Sequence, residues 1–341
     1  MLNKVYQLVR PRQFEIVYKN IDLDKEHILV HPTHLSICNA DQRYYQGLRA
    51  ESVLRKKLPM ALIHEAIGEV VSDPTGEFET GAKVVLIPNT PVESDPVIAE
   101  NYLRSSRFRG SGFDGFMQEY VSMEPDRLVR LPEGINPVVA AFTEIVSVSY
   151  HVISRFERFS HERRQTIGVW GDGNLGYITS LLLRNRFPDT QIYVFGINEM
   201  KLNDFTFADR VFLVNDVPED LRIDHAFECV GGGASSKAIN QAIDIIHPEG
   251  TIAFMGVSED LAPLNTRMML EKGIRGFGSS RSGREDFAGL IELYKSRPEI
   301  VNHLEKIVGV QQEVRGIPDI VKAFEMDIHK LMGKTIMEWN Q

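Results

Sequence analysis

"TIGVWGDGNLGYITSLLL", Thr166 to Leu183, is the stretch that decides the fold. An apolar, strand-like run meets Gly171, Gly173 and Gly176, and an apolar helical pattern begins directly behind them. Glycines in G-x-G-x-x-G spacing carry little weight alone, but between a strand and a helix they mark a dinucleotide-binding turn. The first glycine permits the tight turn and the second lets the backbone approach a pyrophosphate. The third allows close helix-strand packing, and the helix N-terminus then faces the phosphates. Asn174 and Leu175 lie within this turn. A glycine-rich turn with no ligand is the competing reading, and the strand-turn-helix context outweighs it.

Working outward, "QIYVFG", "RVFLV", "DHAFECVG", "GTIAFMGV" and "IRGFGSS" are further apolar runs, with helical texture between several of them, as in "SSKAINQAIDIIHPEG". Continuous apolar strands alternating with helices predict a parallel sheet covered on both faces. Upstream, short runs such as "EHILVHP", "IGEVVSD" and "AKVVLIP" are broken by Pro, Gly and Asp and read as β-rich. After about Ser282 the chain turns helical and polar ("FAGLIELYKSRPEI", "IPDIVKAFEMDI") and ends in a strand-like "GKTIMEW". The expected layout is an α/β protein. A β-rich domain covers 1–148, a doubly wound Rossmann cofactor domain 149–282, and 283–341 returns to the first domain.

A chain of 341 residues exceeds what one core usually serves. Two cysteines, Cys38 and Cys229, cannot build a disulfide framework, which fits a reducing cytoplasm. The N-terminal stretch lacks the apolar core of a signal peptide and no run is long enough to span a bilayer, so a cytoplasmic protein with no membrane partner is expected. The net charge of −9 argues against a nucleic-acid binder. It leaves room for an anionic small substrate, which needs only a few local cations.

The second apolar run of the nucleotide domain discriminates between cofactors. An NAD site usually ends this strand in Asp or Glu, which binds the ribose 2′-hydroxyl. Here it ends at Gly196, and Asn198 and Lys201 follow within five residues. A small residue leaves room for a 2′-phosphate, and Asn198 and Lys201 supply donors and positive charge, so NADPH is expected. Glu199 is the opposing signal, because a strand end shifted by a residue or so restores a carboxylate; for Lys201, a solvated helix-start lysine is an equally open reading.

Cys38 in "SICNAD", His64 and Glu65 in "IHEAIGEV", and Glu144 in "AAFTE" form a nitrogen, sulfur and oxygen donor set suited to zinc. Each residue alone is weak. Together with a dinucleotide fold they gain weight, because hydride transfer to a carbonyl benefits from a Lewis acid on its oxygen.

These motifs, with "DGFMQEYV", "LPEGI", "GDGNLG" and "AFECVGG", make the chain resemble the zinc-dependent medium-chain alcohol and polyol dehydrogenases over its whole length. The resemblance implies a GroES-like catalytic domain beside the Rossmann domain. It also implies one catalytic zinc on Cys38, His64 and Glu144, with Glu65 either a ligand or a neighbour that tunes the metal, and Asp41 orienting the site. "VYQLVRPRQFE", "DQRYYQG", "NTPVESDPVIAENYLRSSRFR" and "GSSRSG" are similar to the ribulose-5-phosphate reductases within that family. That group makes ribitol 5-phosphate for CDP-ribitol and hence for teichoic-acid or capsule synthesis. Homo-oligomers joined through the sheet edge at "IRGFGSS", and a cytidylyltransferase that consumes the product, are implied partners.

The departures are specific. The stretch after "VVLIP" has none of the four cysteines that hold a structural zinc in many relatives, so charge pairs or packing must hold that lobe. Ala40 and Arg43 stand where relatives carry a relay hydroxyl and a histidine, leaving water or Tyr44 as the proton route, and Ile63 replaces a common glycine. Arg43 reads either as a surface arginine or as a substrate-phosphate ligand, and Arg281 in "GSSRSG" is a second phosphate candidate. Arg104, Arg107 and Arg109 read as mostly solvated. Two alternatives stay open: an NAD-dependent polyol dehydrogenase acting on unphosphorylated sugars, and a non-catalytic NADPH-binding scaffold, which would have no need of Cys38, His64 and Glu144.

Overall fold

The computed structural model describes residues 1–341, which divide into two compact units: Met1–Ile145 with Ser282–Gln341, and Val146–Arg281.

In the first unit the strand Ile28–Ile37 is central to a seven-stranded sheet. It pairs antiparallel with Glu65–Ser72 on one side and with Lys334–Trp339 on the other. The last strand of the chain thus completes the sheet begun by the first hundred residues. Its anchor is Trp339, buried against Tyr6 at 5.1 Å and donating its indole N–H to the Gln118 carbonyl at 2.8 Å. A buried tryptophan needs such a partner for its one polar atom. Leu35, Ile37, Tyr45, Phe116, Phe324 and Met337 pack around this seam.

The second unit is a six-stranded, wholly parallel sheet. Its spatial order is Arg210–Leu213, Gln191–Gly196, Thr166–Trp170, Ile223–Glu228, Ile246–Phe254 and Arg275–Gly278. In chain order this is 3-2-1-4-5-6, the doubly wound arrangement whose strand order reverses between the first and fourth strands. Trp170 stacks on Phe195 at 4.2 Å, and Phe195 on Phe212 at 5.2 Å.

Two helical expectations shift in detail. The helix in "SSKAINQAIDIIHPEG" stops at Ile245, and Ile246 already begins a strand, paired with Ile223. Pro248, two residues on, cannot extend a helix. "FAGLIELYKSRPEI" breaks into Arg284–Ser296 and Pro298–Glu305, with Arg297 pushed out of helical geometry ahead of the proline that starts the second helix. No helix is long and apolar enough to cross a membrane.

Candidate active site and nucleotide loop

The register of the central sheet assembles the metal donors. Ser36 lies opposite Glu65 in the antiparallel ladder, so the residues just beyond that pair, Cys38 and His64, arrive side by side. The ligand atoms of Cys38, His64 and Glu65 lie within 4.8 Å of one another; His64 and Glu65 are buried and Cys38 is half-buried. Glu144 is buried near the start of the helix Thr143–Phe159. It acts on His64 electrostatically but is not one of this close group of three.

The electrostatics favour a cation here. Burial lowers the pKa of His64, but Asp41, Cys38 and Glu144 outweigh it and hold the imidazole well above its ordinary value. Donor atoms of three chemical kinds, a thiol sulfur, an imidazole nitrogen and a carboxylate oxygen, converge on one spot. That donor set fits zinc.

Two neighbours hold the set in place. Asp41, fully buried, accepts the Cys38 and Ile63 backbone N–H groups, both at 3.0 Å, and lies 3.8 Å from His64 Nδ1. Burial raises its pKa. Lys334, the first residue of the last strand, is the functional residue the sequence reading missed. Its ammonium is buried, donates to Glu65 Oε1 and to the Ile37 carbonyl, both at 2.9 Å, and lies 2.8 Å from Oε2. Burial lowers its pKa, yet Glu65 and Cys38 reverse this and keep it charged. The only signal in sequence was a lysine opening the apolar "TIMEW".

Ile63, where relatives often have glycine, is buried with φ +72°. A β-branched residue in the left-handed region is strained, and strain of this kind collects at functional sites. The Asp41 bond to its N–H and a 2.8 Å bond from the Phe116 N–H to its carbonyl hold it there.

The cysteine-free lobe is tied by charge. Arg127, buried, pairs with Glu100 at 2.8 Å and donates to the Asn89 carbonyl at 3.1 Å. Glu100 also accepts the Arg284 N–H, and its backbone carbonyl takes the Ser106 hydroxyl, both at 2.8 Å. Arg104 and Arg107 are exposed; Arg109 is instead packed over Phe116 and bonded to the Ser122 carbonyl at 2.9 Å. Phe108, between them in sequence, lies 5.4 Å from the His64 ring.

In the second unit the three glycines each answer a different steric demand. A Cβ on Gly171, at φ +128°, would come 3.0 Å from the Cys229 carbonyl oxygen, and one on Gly176 would come 1.9 Å from that of Gly171. Around Gly173 a Cβ meets nothing within 4 Å; this glycine precedes the helix Asn174–Arg186 and gives it no side-chain cap. Gly196 is small for a further reason: its Cβ would meet the Asp172 side chain at 2.7 Å. Asp172 caps the Ile197 and Asn198 N–H groups, both at 2.8 Å, and Asn198 in turn caps the N–H of Lys201 at 3.2 Å. Glu199 is exposed. Buried Glu228 ties down the loops after two strands, accepting from the N–H groups of Val230, Gly231 and Gly256 at 2.8–3.0 Å. Arg43 belongs to the first unit and Arg281, with φ +59°, to the second; both are half-buried.

Comparison with known proteins places this architecture. The alcohol dehydrogenase GroES-like domain family matches residues 24–133, and the zinc-binding dehydrogenase family matches residues 203–296. The chain is 56% identical to a ribulose-5-phosphate reductase of Bacillus spizizenii over 99% of both chains. It is 55% identical to ribulose-5-phosphate reductase 2 of Staphylococcus aureus, again over 99% of both. The crystal structure of S. aureus TarJ in complex with NADPH matches with a TM-score of 0.91, at 49% identity, over 100% of both chains. The chain belongs to the zinc-binding medium-chain dehydrogenases and, within them, to the ribulose-5-phosphate reductase family.

Proposed function

We propose that this protein is a cytoplasmic, NADPH-dependent zinc reductase that converts D-ribulose 5-phosphate to D-ribitol 5-phosphate, the precursor of CDP-ribitol for teichoic-acid or capsule synthesis. The observation that carries the reading is the Cys38, His64 and Glu65 donor group, in a chain this similar to reductases of that name. A single catalytic zinc supplies Lewis-acid polarisation of the C2 carbonyl oxygen, and NADPH supplies the hydride.

The protein's own residues do the rest. Cys38 and His64 are the two firm donors, and Glu65 or Glu144 is the third. Lys334 holds Glu65 by charge, which favours Glu144 or water in the remaining position, while Asp41 fixes the backbone that presents Cys38. Gly171, Gly173 and Gly176, with Asn174 and Leu175, shape the turn at the helix N-terminus, where the backbone N–H groups receive the pyrophosphate. Asn198 and Lys201, beyond Gly196, bind the 2′-phosphate. Arg43 and Arg281 are the candidate contacts for the substrate phosphate. With a strand at the sheet edge, Arg275–Gly278, the chain forms a homo-oligomer by edge pairing, and a cytidylyltransferase consumes its product.

The test is NADPH oxidation by the zinc-loaded protein, with ribulose 5-phosphate against ribulose and NADPH against NADH. Preference for the phosphorylated sugar with NADPH is expected. Equal rates on free sugars with NADH would replace the proposal with a generic polyol dehydrogenase, and silence on every pair would favour a scaffold.

A further inference from the structure

We infer that Arg49 and Lys57, gathered around Tyr44 in the helix that Cys38 opens, bind the phosphate of the substrate in addition to the candidates Arg43 and Arg281. The inference rests on the reading of that substrate as a phosphorylated ketose. Neither residue was among the candidates drawn from the sequence, and the fold brings both to one place. The Arg49 guanidinium lies 5.0 Å from the centroid of the Tyr44 ring and the Lys57 ammonium 5.9 Å from it, while Tyr44 itself is buried. Lys57 also donates to the Ser111 hydroxyl at 2.9 Å. Both cations are half-buried, unlike Arg55 and Lys56, which share the short helix Glu51–Lys57 with Lys57 and are exposed. A cation held against an aromatic face keeps its charge and loses rotamer freedom before any ligand arrives, which reduces the ordering cost of binding.

Two chain routes bring this cluster within reach of the metal donors. Cys38 opens the helix Asn39–Tyr45, so Tyr44 lies six residues along it, about 9 Å at the helical rise. Phe108 touches the His64 ring, and Ser111, the partner of Lys57, is three residues further, at most about 10 Å of extended chain. In ribulose 5-phosphate, five bonds separate C2 from phosphorus, about 6 Å when extended. With C2 at the metal, the phosphate therefore falls within the reach of long cationic side chains arising at that distance. Guanidinium offers a bidentate fork and ammonium a point charge, a pairing suited to a phosphate dianion. Arg43 precedes Tyr44 in the last turn of the same helix.

The experiment uses the zinc-loaded, full-length protein with Arg49→Met, Lys57→Met and Arg49→Lys, and two probes. Inorganic phosphate is titrated calorimetrically, and kcat/KM is compared for ribulose 5-phosphate and free ribulose. Each Met variant is expected to weaken phosphate binding and to lower the phosphorylated-to-free ratio of kcat/KM by about 10-fold to 100-fold, chiefly through KM, with Arg49→Lys recovering part of the loss. Unchanged phosphate affinity and ratio in both Met variants would overturn the subsite. So would equal losses on both sugars, since these report a structural role. The functional reading is judged separately, by whether the unaltered protein prefers the phosphorylated sugar; phosphate titration decides the subsite whichever way that falls.

Discussion

Around Cys38, four ionisable side chains, Asp41, His64, Glu65 and Lys334, are buried together and locked by one another's charges. Around Gly173, by contrast, no heavy atom outside its immediate chain neighbours lies within 4 Å of the place a Cβ would take. The first region is built from side chains and must offset their desolvation with paired charge. The second is built from the absence of side chains, which leaves open space at the start of the helix Asn174–Arg186. Damage should therefore take different forms: steric in the nucleotide loop, electrostatic in the metal pocket.

The largest effect is expected at Gly176. With a backbone oxygen 1.9 Å from the would-be Cβ, Gly176→Ala should destabilise the second unit by about 3 kcal/mol or more and weaken NADPH binding beyond about 100-fold. Gly173→Ala should leave the midpoint of thermal unfolding nearly unchanged and weaken NADPH by about 10-fold. Calorimetric titration with thermal melts reads both; equal losses of stability at the two glycines would break the comparison.

In the metal pocket, Lys334→Met leaves Glu65 as a buried, unpaired carboxylate, at a cost of about 3 kcal/mol in urea unfolding. Lys334→Arg, which keeps the charge, should recover part of it. A loss no larger than that of an ordinary surface change would mean that the charge pair does not organise the pocket.

How much of this was legible in the sequence follows from the same contrast. The nucleotide loop needs glycine at fixed spacing, so Gly171, Gly173 and Gly176 announce it, and the apolar runs beside them gave the parallel sheet. The metal pocket draws its residues from three distant segments, at 38–41, 64–65 and 334; donor chemistry suited to zinc grouped Cys38 with His64 and Glu65, and the resemblance to the dehydrogenases added Asp41. Lys334 was illegible because its partner stands 269 residues away in the chain. Arg49 and Lys57 were illegible because nothing in the order of residues says that both turn toward Tyr44. The lobe lies between these cases: missing cysteines predicted charge or packing, but not that Glu100 and Arg127 would meet.

A smaller effect should appear with pH in the second unit. His225 accepts the Thr251 N–H on Nδ1 and bonds the Arg163 carbonyl through Nε2, which fixes it neutral, and burial pushes its pKa down to about 3. Above the ordinary histidine value both folded and unfolded chains leave it unprotonated, and its contribution is fully present. Between about pH 6.5 and pH 3 only the unfolded chain takes up the proton, so stability is lost as pH falls, by about 1.4 kcal/mol per unit. Urea unfolding at pH 7 and pH 5 should show a shallower dependence in His225→Gln than in the parent chain. An identical dependence would assign the acid sensitivity to other groups.

The smallest effect is at Ile63. Ile63→Gly relieves about 1 kcal/mol of left-handed strain but gives up about 2 kcal/mol of burial, a net loss near 1 kcal/mol. A loss above about 3 kcal/mol would show that the side chain, and not the backbone geometry, is what that position requires.

Zinc counted per chain by mass spectrometry, in the parent protein and in Cys38→Ser, tests the central claim most directly. The account predicts one zinc per chain, lost on Cys38→Ser while NADPH binding persists. Two zincs per chain, or one that survives the loss of Cys38, would contradict it.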